Sequence, residues 1–504
     1  GITVIVLLPK GDGTYRPVGL IPWLPKVWMR ARKIYATTWE RINSQDWIYA
    51  GVGKGADIAA WKQAARAELA DLALWKTGYA QALLDLVKAF DRVPYWLLLQ
   101  EAHVLGFPLW MLRLSIATYR LPRVIRVGRF YSMIVLALRG ITAGSGLATT
   151  EMLLIMLRII KRAMDVAWMI IPTLFVDDVS AECTGPDKTV KEQLGNFIKS
   201  IADDIAASGM ELSKKKSVFT ANSDKLGKEL EETWQDLGIK YQKYVKSLGV
   251  GMAAGRRNVK ELVKRLKNFK AKIPRCRKLI KLGVDPAMIL RTGGKAGIVY
   301  GTSTMGVSNS MLQSQRRAAA AAVAPQSGTG GQNLDLALMM ADASAKGSAD
   351  PAFDAHILVI GDWARGVWNG WQPRASLDGW VAKAKLRLIR AKSVWAKVNG
   401  PATAFVATCG RILWTIVSGT KLKTDEGIEL DLTLDPPAVV IRHVRNAVVR
   451  WRWRNIEAKF PELAANGSGR GAMMQPIWSL LKSRRNDDQW DAKCRGGLKS
   501  TLAG

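Results

Sequence analysis

The chain has 504 residues, more than one domain of ordinary size holds, and at about 100 to 200 residues per domain it implies about three structural units. With 48% hydrophobic and 23% charged residues it has the composition of a folded globular protein, which excludes wholesale disorder. Lys and Arg number 74 against 42 Asp and Glu, a net charge of +32, so a polyanion is the expected partner and nucleic acid the first candidate.

The chain opens Gly1-Ile2-Thr3-Val4 without an initiating Met, and no basic stretch leads into an apolar core and a cleavage site. No signal peptide is visible, an intracellular protein is expected with nucleus and cytoplasm both open, and the first residues of the natural product are expected to be missing. From Gly1 to about Gly251 short apolar runs alternate with amphipathic stretches, the pattern of a mixed α/β domain. In Gln81-Ala82-Leu83-Leu84-Asp85 an apolar strand delivers an acid at its end, and Pro94 then opens a helix that closes near Gly106. In Ile171-Pro172-Thr173-Leu174-Phe175-Val176-Asp177-Asp178 two acids interrupt an apolar run, as at the tip of a tight hairpin. Val190, Leu194, Phe197, Ile198, Ile201 and Ile205 recur at helical spacing, with Gly209 placed to end the helix.

Arg256 to Lys281 holds twelve Lys or Arg against the single acid Glu261, with Val259, Leu262, Val263, Leu266 and Phe269 on one face. The expectation is one strongly basic amphipathic helix. Ala318 to Gly331 and the Gly-, Ser- and Ala-rich text to Pro351 read as a linker. Beyond it the chain is rich in Trp and Arg, and Arg450-Trp451-Arg452-Trp453-Arg454 could stack bases and neutralise phosphates or simply bury Trp in a core. The most apolar stretch, Val398 to Thr420, is centred on Arg411 and is expected to be a buried helix pair rather than a membrane span. Cys183, Cys276, Cys409 and Cys494 have no C-x-x-C spacing and His103, His356 and His443 are scattered, which argues against a zinc site or a disulfide framework. Gly51-Val52-Gly53-Lys54-Gly55 lacks the spacing of a phosphate loop and no Ser or Thr follows its Lys.

Adjacent carboxylates in a half-buried turn repel each other unless a cation is present, and hard oxygen ligands favour magnesium. Asp85 with the Asp177 and Asp178 pair could therefore bridge two such ions for an in-line phosphoryl displacement.

At these residues the chain resembles the reverse transcriptase family, most of all the enzymes of non-LTR retrotransposons and group II introns. The resemblance covers roughly the first 300 residues, with the motifs in family order. It implies an α+β right-hand polymerase with an antiparallel palm sheet, fingers and palm over 1–250 and a basic helical thumb over 251–322; composition then gives a linker over 323–352 and a basic, mainly helical, Trp-rich domain of unassigned role over 353–504. The resemblance implies two magnesium ions, or manganese, on Asp85, Asp177 and Asp178, with an RNA template, a DNA primer and dNTPs as partners and no membrane. Lys10 and Arg16 then look like triphosphate contacts, Phe90 like the bulky side chain that excludes a ribose 2′-hydroxyl, Lys216 like the lysine that protonates departing pyrophosphate, and Leu248-Gly249 like the turn gripping the primer end. Arg139-Gly140 and Gly144 match a further substrate-binding motif, which departs from the family where Ala143 replaces the usual Gln and Thr149 a common Pro. The basic segment after Arg256 falls where the thumb belongs, with Lys264, Lys267 and Lys270 as duplex contacts. Two rivals remain, an RNA-dependent RNA polymerase with a related palm and a decayed derivative that binds nucleic acid without catalysis. Phe90 and Val176 argue against the first, while Ala143 keeps the second open.

Overall fold

Apolar and β-branched residues fill Thr3-Val4-Ile5-Val6-Leu7-Leu8-Pro9, the first strand of the computed structural model, which describes residues 1–10, 13–51, 53–73, 77–282, 284–323, 333–342, 348–464, 474–482, 494 and 497–498. The chain divides into two units, one of Gly1–Ala59 and Trp75–Leu248, the other of Ala60–Leu74 and Gly249–Gly504.

The main strands of the first unit are β1 (Thr3–Pro9), β2 (Tyr15–Leu20), β3 (Gly78–Leu84), β4 (Arg123–Val127), β5 (Phe130–Tyr131), β6 (Ile171–Phe175), β7 (Asp178–Gly185), β8 (Val218–Ala221) and β9 (Lys240–Tyr241). They form a four-stranded sheet ordered β2-β1-β4-β5 and a five-stranded sheet ordered β6-β7-β3-β8-β9. The second sheet is antiparallel at every step except β8 to β9, which is parallel. The helix Asp187–Ala207 covers β7 and β3 with the apolar face expected of it: Val190, Leu194, Phe197, Ile198, Ile201 and Ile205 are all buried, and Gly209 follows at φ +69°. Full burial of each such side chain is worth about 1.5–3 kcal/mol, so this face anchors the sheet from behind. The helix Tyr95–Val104 follows Pro94 and ends before Gly106, as read from the sequence.

The second unit departs from the sequence expectations in three places and decides between two open readings in a fourth. The basic segment is two helices, Lys260–Lys270 and Ile273–Lys281, because Pro274 has no N–H for the preceding turn and restarts the helix. Leu262, Leu266 and Phe269 are buried on the first of these, whereas Val263 is half exposed. The Ala-rich text belongs to the helix Asn309–Val323, with Ala318, Ala319, Ala320 and Ala322 buried, and the segment read as a linker carries the helix Leu334–Ala341. Arg316 donates to both Asp350 oxygens at 2.9–3.1 Å and to Asp335 at 2.5 Å, all three side chains being buried, so charge pairing ties this stretch into the core.

In the Trp-rich region the Arg450 to Arg454 run lies within the helix Pro437–Glu457, where Arg452 and Trp453 are buried. Arg452 meets Asp342 at 2.8 Å and Arg450 and Arg454 meet Asp425 at 2.7 and 3.2 Å, so acids hold all three arginines, while Trp453 is buried and Trp451 only partly so. Instead of a helix pair, Val398 to Thr420 contains the helix Pro401–Arg411 and a short strand, Thr415–Ile416. That helix is capped from afar by the buried Glu68, which accepts from Ala402 N, Thr403 N and Thr403 Oγ1 at 2.6–2.9 Å. Trp363 stacks on Phe405 at 4.7 Å in the core of this region. No helix among the described residues is long and apolar enough to cross a membrane.

Burial pushes Glu151 in the first unit up to about 7 from 4.5, with Tyr119 OH donating to it. A carboxyl whose folded pKa is raised keeps its proton in the folded state while the unfolded chain loses it, so its contribution is full below pH 4.5 and is lost as pH rises to about 7. Wild-type stability should therefore fall across that window by up to about 3 kcal/mol from this group. In Glu151→Gln the fall should be smaller by that amount, read from urea midpoints at pH 5 and 7. Equal slopes for the two proteins would contradict it.

Candidate active site

The site is built by register. Leu84 of β3 faces Val179 of β7, and one step further along the same antiparallel pairing brings Asp85 level with Asp178. On the other side of β7, Phe175 pairs with Asp178, so Val176 and Asp177 are the two residues of a tight hairpin turn. Val176 holds φ +64°, a conformation that costs a β-branched residue about 1–3 kcal/mol. The surrounding sheet imposes this turn against local preference, and the turn fixes where the two acids stand.

Asp85 is held on both sides of its own backbone. Its N–H donates to Ser217 Oγ at 3.1 Å and its carbonyl accepts from Ser213 N at 2.7 Å. Lys216, between those serines, places Nζ 3.2 Å from Asp85 Oδ2, an oxygen that otherwise has no hydrogen bond. The segment Leu212 to Ser217 is thus brought directly beside the first acid. Sequence reading assigned Lys216 a role and gave none to Ser217; the Ser on either side of the lysines was the available signal.

The electrostatics follow from three acids sharing one strand end. Desolvation, then the charge of Asp177, then that of Asp85, pushes Asp178 up to about 6, with Lys216 and Lys246 pulling the other way. Asp177 is raised chiefly by desolvation and then by Asp85, and is lowered by Arg16 and Lys216. Arg16 therefore acts on the acids from β2, whereas Lys10 stands exposed in the turn after β1. The field of Lys246, two residues before Leu248, also reaches Asp178.

Behind the acids, Lys88 lies at φ +49° and starts the short helix Ala89–Arg92 that carries Phe90, whose half-buried ring packs on the main core. The loop from Arg139 docks on this helix through its backbone: Ile141 N donates to the Phe90 carbonyl at 2.7 Å and Gly140 N to that of Val93 at 2.8 Å. A Cβ on Gly140 would fall 2.6 Å from the Asp91 carbonyl oxygen, and one on Gly144 would fall 2.4 Å from that of Gly19. Both glycines also hold positive φ. Ala143 accepts a hydrogen bond from Gly19 N through its own carbonyl, so seating of this loop against β2 does not depend on the side chain at 143. Arg139 is exposed at its start.

Leu248 and Gly249 follow the short strand Val245–Ser247, both at positive φ, +47° and +81°, which makes them a backbone turn. Lys264, Lys267 and Lys270 are exposed on the helix Lys260–Lys270. Lys54 of the rejected phosphate loop donates to Ser44 Oγ and the Gln45 carbonyl, a structural role. Among the described residues no three His, Cys, Asp or Glu side chains close into a ready ligand set. Even so, the donors at the acid cluster are hard carboxylate oxygens, one of them buried without a hydrogen bond, and this chemistry fits a divalent cation.

The family model described as reverse transcriptase (RNA-dependent DNA polymerase) matches residues 8–252. No curated protein matches the chain. Among solved structures, telomerase from Candida albicans in complex with a TWJ fragment of telomeric RNA aligns at 12% identity and a TM-score of 0.42, covering 78% of this chain and 62% of that one. Apo telomerase from Candida tropicalis aligns at 11% identity and a TM-score of 0.38, covering 82% and 64%; its form truncated from the C-terminal domain aligns at 11% and 0.37, covering 50% and 53%. The chain thus spans between about half and two thirds of the length of these telomerases. With the motifs of the acid cluster all inside the matched segment, residues 8–252 of this chain are a reverse transcriptase domain.

Proposed function

We propose that the chain copies RNA into DNA by two-metal nucleotidyl transfer, as part of a retroelement of the non-LTR or group II type. The observation that carries this reading is the alignment of Asp85 with the Asp177 and Asp178 hairpin at one strand end, within the reverse transcriptase domain. In it the four-stranded sheet serves as fingers, the five-stranded sheet as palm and the two basic helices as thumb.

Asp85, Asp177 and Asp178 would hold two magnesium ions, with manganese as a substitute. When bound, the ions neutralise the reacting phosphate and lower the cost of both the attacking 3′-hydroxyl and the leaving oxygen. The remaining work falls to the protein. Arg16 and Lys10 offer positive charge to the triphosphate of a dNTP, and the ring of Phe90 occupies the space a 2′-hydroxyl would need. Arg139 and Gly144 shape the loop beneath the nucleotide. Lys216, with Nζ 3.2 Å from Asp85, would donate a proton to departing pyrophosphate. Leu248 and Gly249 seat the primer end, and Lys264, Lys267 and Lys270 neutralise phosphates of the template-primer duplex. Against a nonenzymatic derivative stands the loop around Ala143, whose seating runs through the backbone.

Asp177→Asn should abolish extension of a DNA primer on an RNA template while its affinity for the duplex, read by fluorescence anisotropy, stays nearly that of wild type; Asp85→Asn should behave alike. Retention of more than a small fraction of activity by either variant with magnesium would contradict the assignment. Phe90→Ala should raise kcat/KM for NTPs by about tenfold or more, since each 1.4 kcal/mol of lost discrimination is tenfold. An equal fall for dNTPs and NTPs would signal a folding defect and count against a gate. Replacing Lys264, Lys267 and Lys270 together by Ala should weaken duplex binding and flatten its log-log salt slope by up to about 0.9 per lost phosphate contact. An unchanged slope would show that this face does not meet the duplex.

A further inference from the structure

The second unit holds two neighbouring cavities of about 460 and 730 Å³ that share Asn309, Arg411 and Trp451 in their walls. Arg411, at the end of the helix Pro401–Arg411, differs from the arginines of this region that acids hold. Arg316, Arg450, Arg452 and Arg454 each meet an aspartate. Arg411 donates from Nε to Asn309 Oδ1 at 2.9 Å and from Nη2 to the Val307 carbonyl, while its buried Nη1 has no partner. Burial alone governs its acidity, pulling it down to about 9 with no carboxylate to hold it up. Its guanidinium lies 4.4 Å from the ring of Trp395, and Arg257, another arginine lowered by burial alone, lies 6.0 Å from the same ring.

Arg257 is satisfied by the Met305 and Val398 carbonyls, whereas Arg411 keeps an unpartnered Nη1 with no acid beside it, which costs stability that an anion would offset. The rest of the lining narrows its chemistry. Asn309, Gln313 and Asn455 present amides, Lys459 an exposed ammonium and Trp451 a partly buried ring, while the one acid, Asp335, is already bonded to Arg316. No free carboxylate in the lining is left to hold the cation that a triphosphate brings with it. Two cavities that share one arginine in their walls offer room for successive nucleotides, and aromatic rings beside arginines are the usual platform for unpaired bases.

We propose that this groove binds a single-stranded nucleic acid, with a backbone phosphate on Arg411 and a base against Trp451. The site lies wholly within the second unit and does not depend on the polymerase reading.

The test uses the full chain without divalent metal or dNTPs, so its outcome is separate from that of the polymerase assays. Short single strands carrying 5-iodouracil, one of RNA and one of DNA, are photo-crosslinked and the adducts mapped by mass spectrometry. An adduct is expected at Trp451 or Trp395, with the more efficient strand identifying the natural source. Arg411→Gln should reduce its yield about tenfold, the equivalent of one charge-assisted contact, without changing primer extension. Lys459→Glu, on an exposed side chain and so without risk to folding, should reduce it severalfold. Adducts found only elsewhere, or yields unchanged in both variants, would overturn the proposal. So would suppression by inorganic phosphate as effective as by unlabelled strand, since that would assign the groove to a free anion.

Discussion

Three carboxylates at one strand end repel one another, and the pairing of β3 with β7 leaves them no way to move apart without breaking the sheet. The burial behind them turns that repulsion into function. Leu84, Val179 and Leu174 are buried, the helix Asp187–Ala207 backs the sheet, and Val176 is kept in a left-handed conformation it would not choose. Desolvation and the neighbouring carboxylates push Asp177 and Asp178 upward, and the cations nearby, Arg16, Lys216 and Lys246, offset only part of this. A site so arranged favours positive charge, whether from a metal ion or from these side chains.

The same economy of backbone contacts holds the segments beside the acids together. Asp85 is pinned through its own N–H and carbonyl by Ser217 and Ser213, and the loop from Arg139 is pinned through main-chain bonds to Phe90 and Val93. Gly140 and Gly144 are needed because other backbone passes within 2.4–2.6 Å of where a Cβ would be. Side chains on these segments can therefore differ from the family pattern, as Ala143 does, while the loop keeps its place.

What could be read in advance was whatever local pattern determines. Asp85 at the end of an apolar run, the hairpin at Asp177, the helix ending before Gly209 and the start at Pro94 all depend on short-range rules, and the structure has them. The misses share a different cause. Ala-rich text near residue 320 looked like a linker because small residues are ambiguous, and only the distant Asp350 partner of Arg316 makes that stretch core. The Arg and Trp run near residue 452 left a nucleic-acid surface and a buried element equally open because its acids, Asp342, Asp350 and Asp425, lie elsewhere in the sequence. Glu68, more than three hundred residues from the helix it caps, left no local sign at all. In a chain of charge +32, sequence does not reveal which arginines are held by such acids.

The account stands on the acid cluster working as an RNA-templated DNA polymerase. The direct measurement is extension of a DNA primer annealed to an RNA template by the full chain with magnesium, comparing dNTPs with NTPs and wild type with the Asp177→Asn variant. The account predicts full-length DNA from dNTPs with wild type alone and little product from NTPs. Extension by NTPs as efficient as by dNTPs, or tight duplex binding with no extension by wild type under any divalent ion, would contradict it.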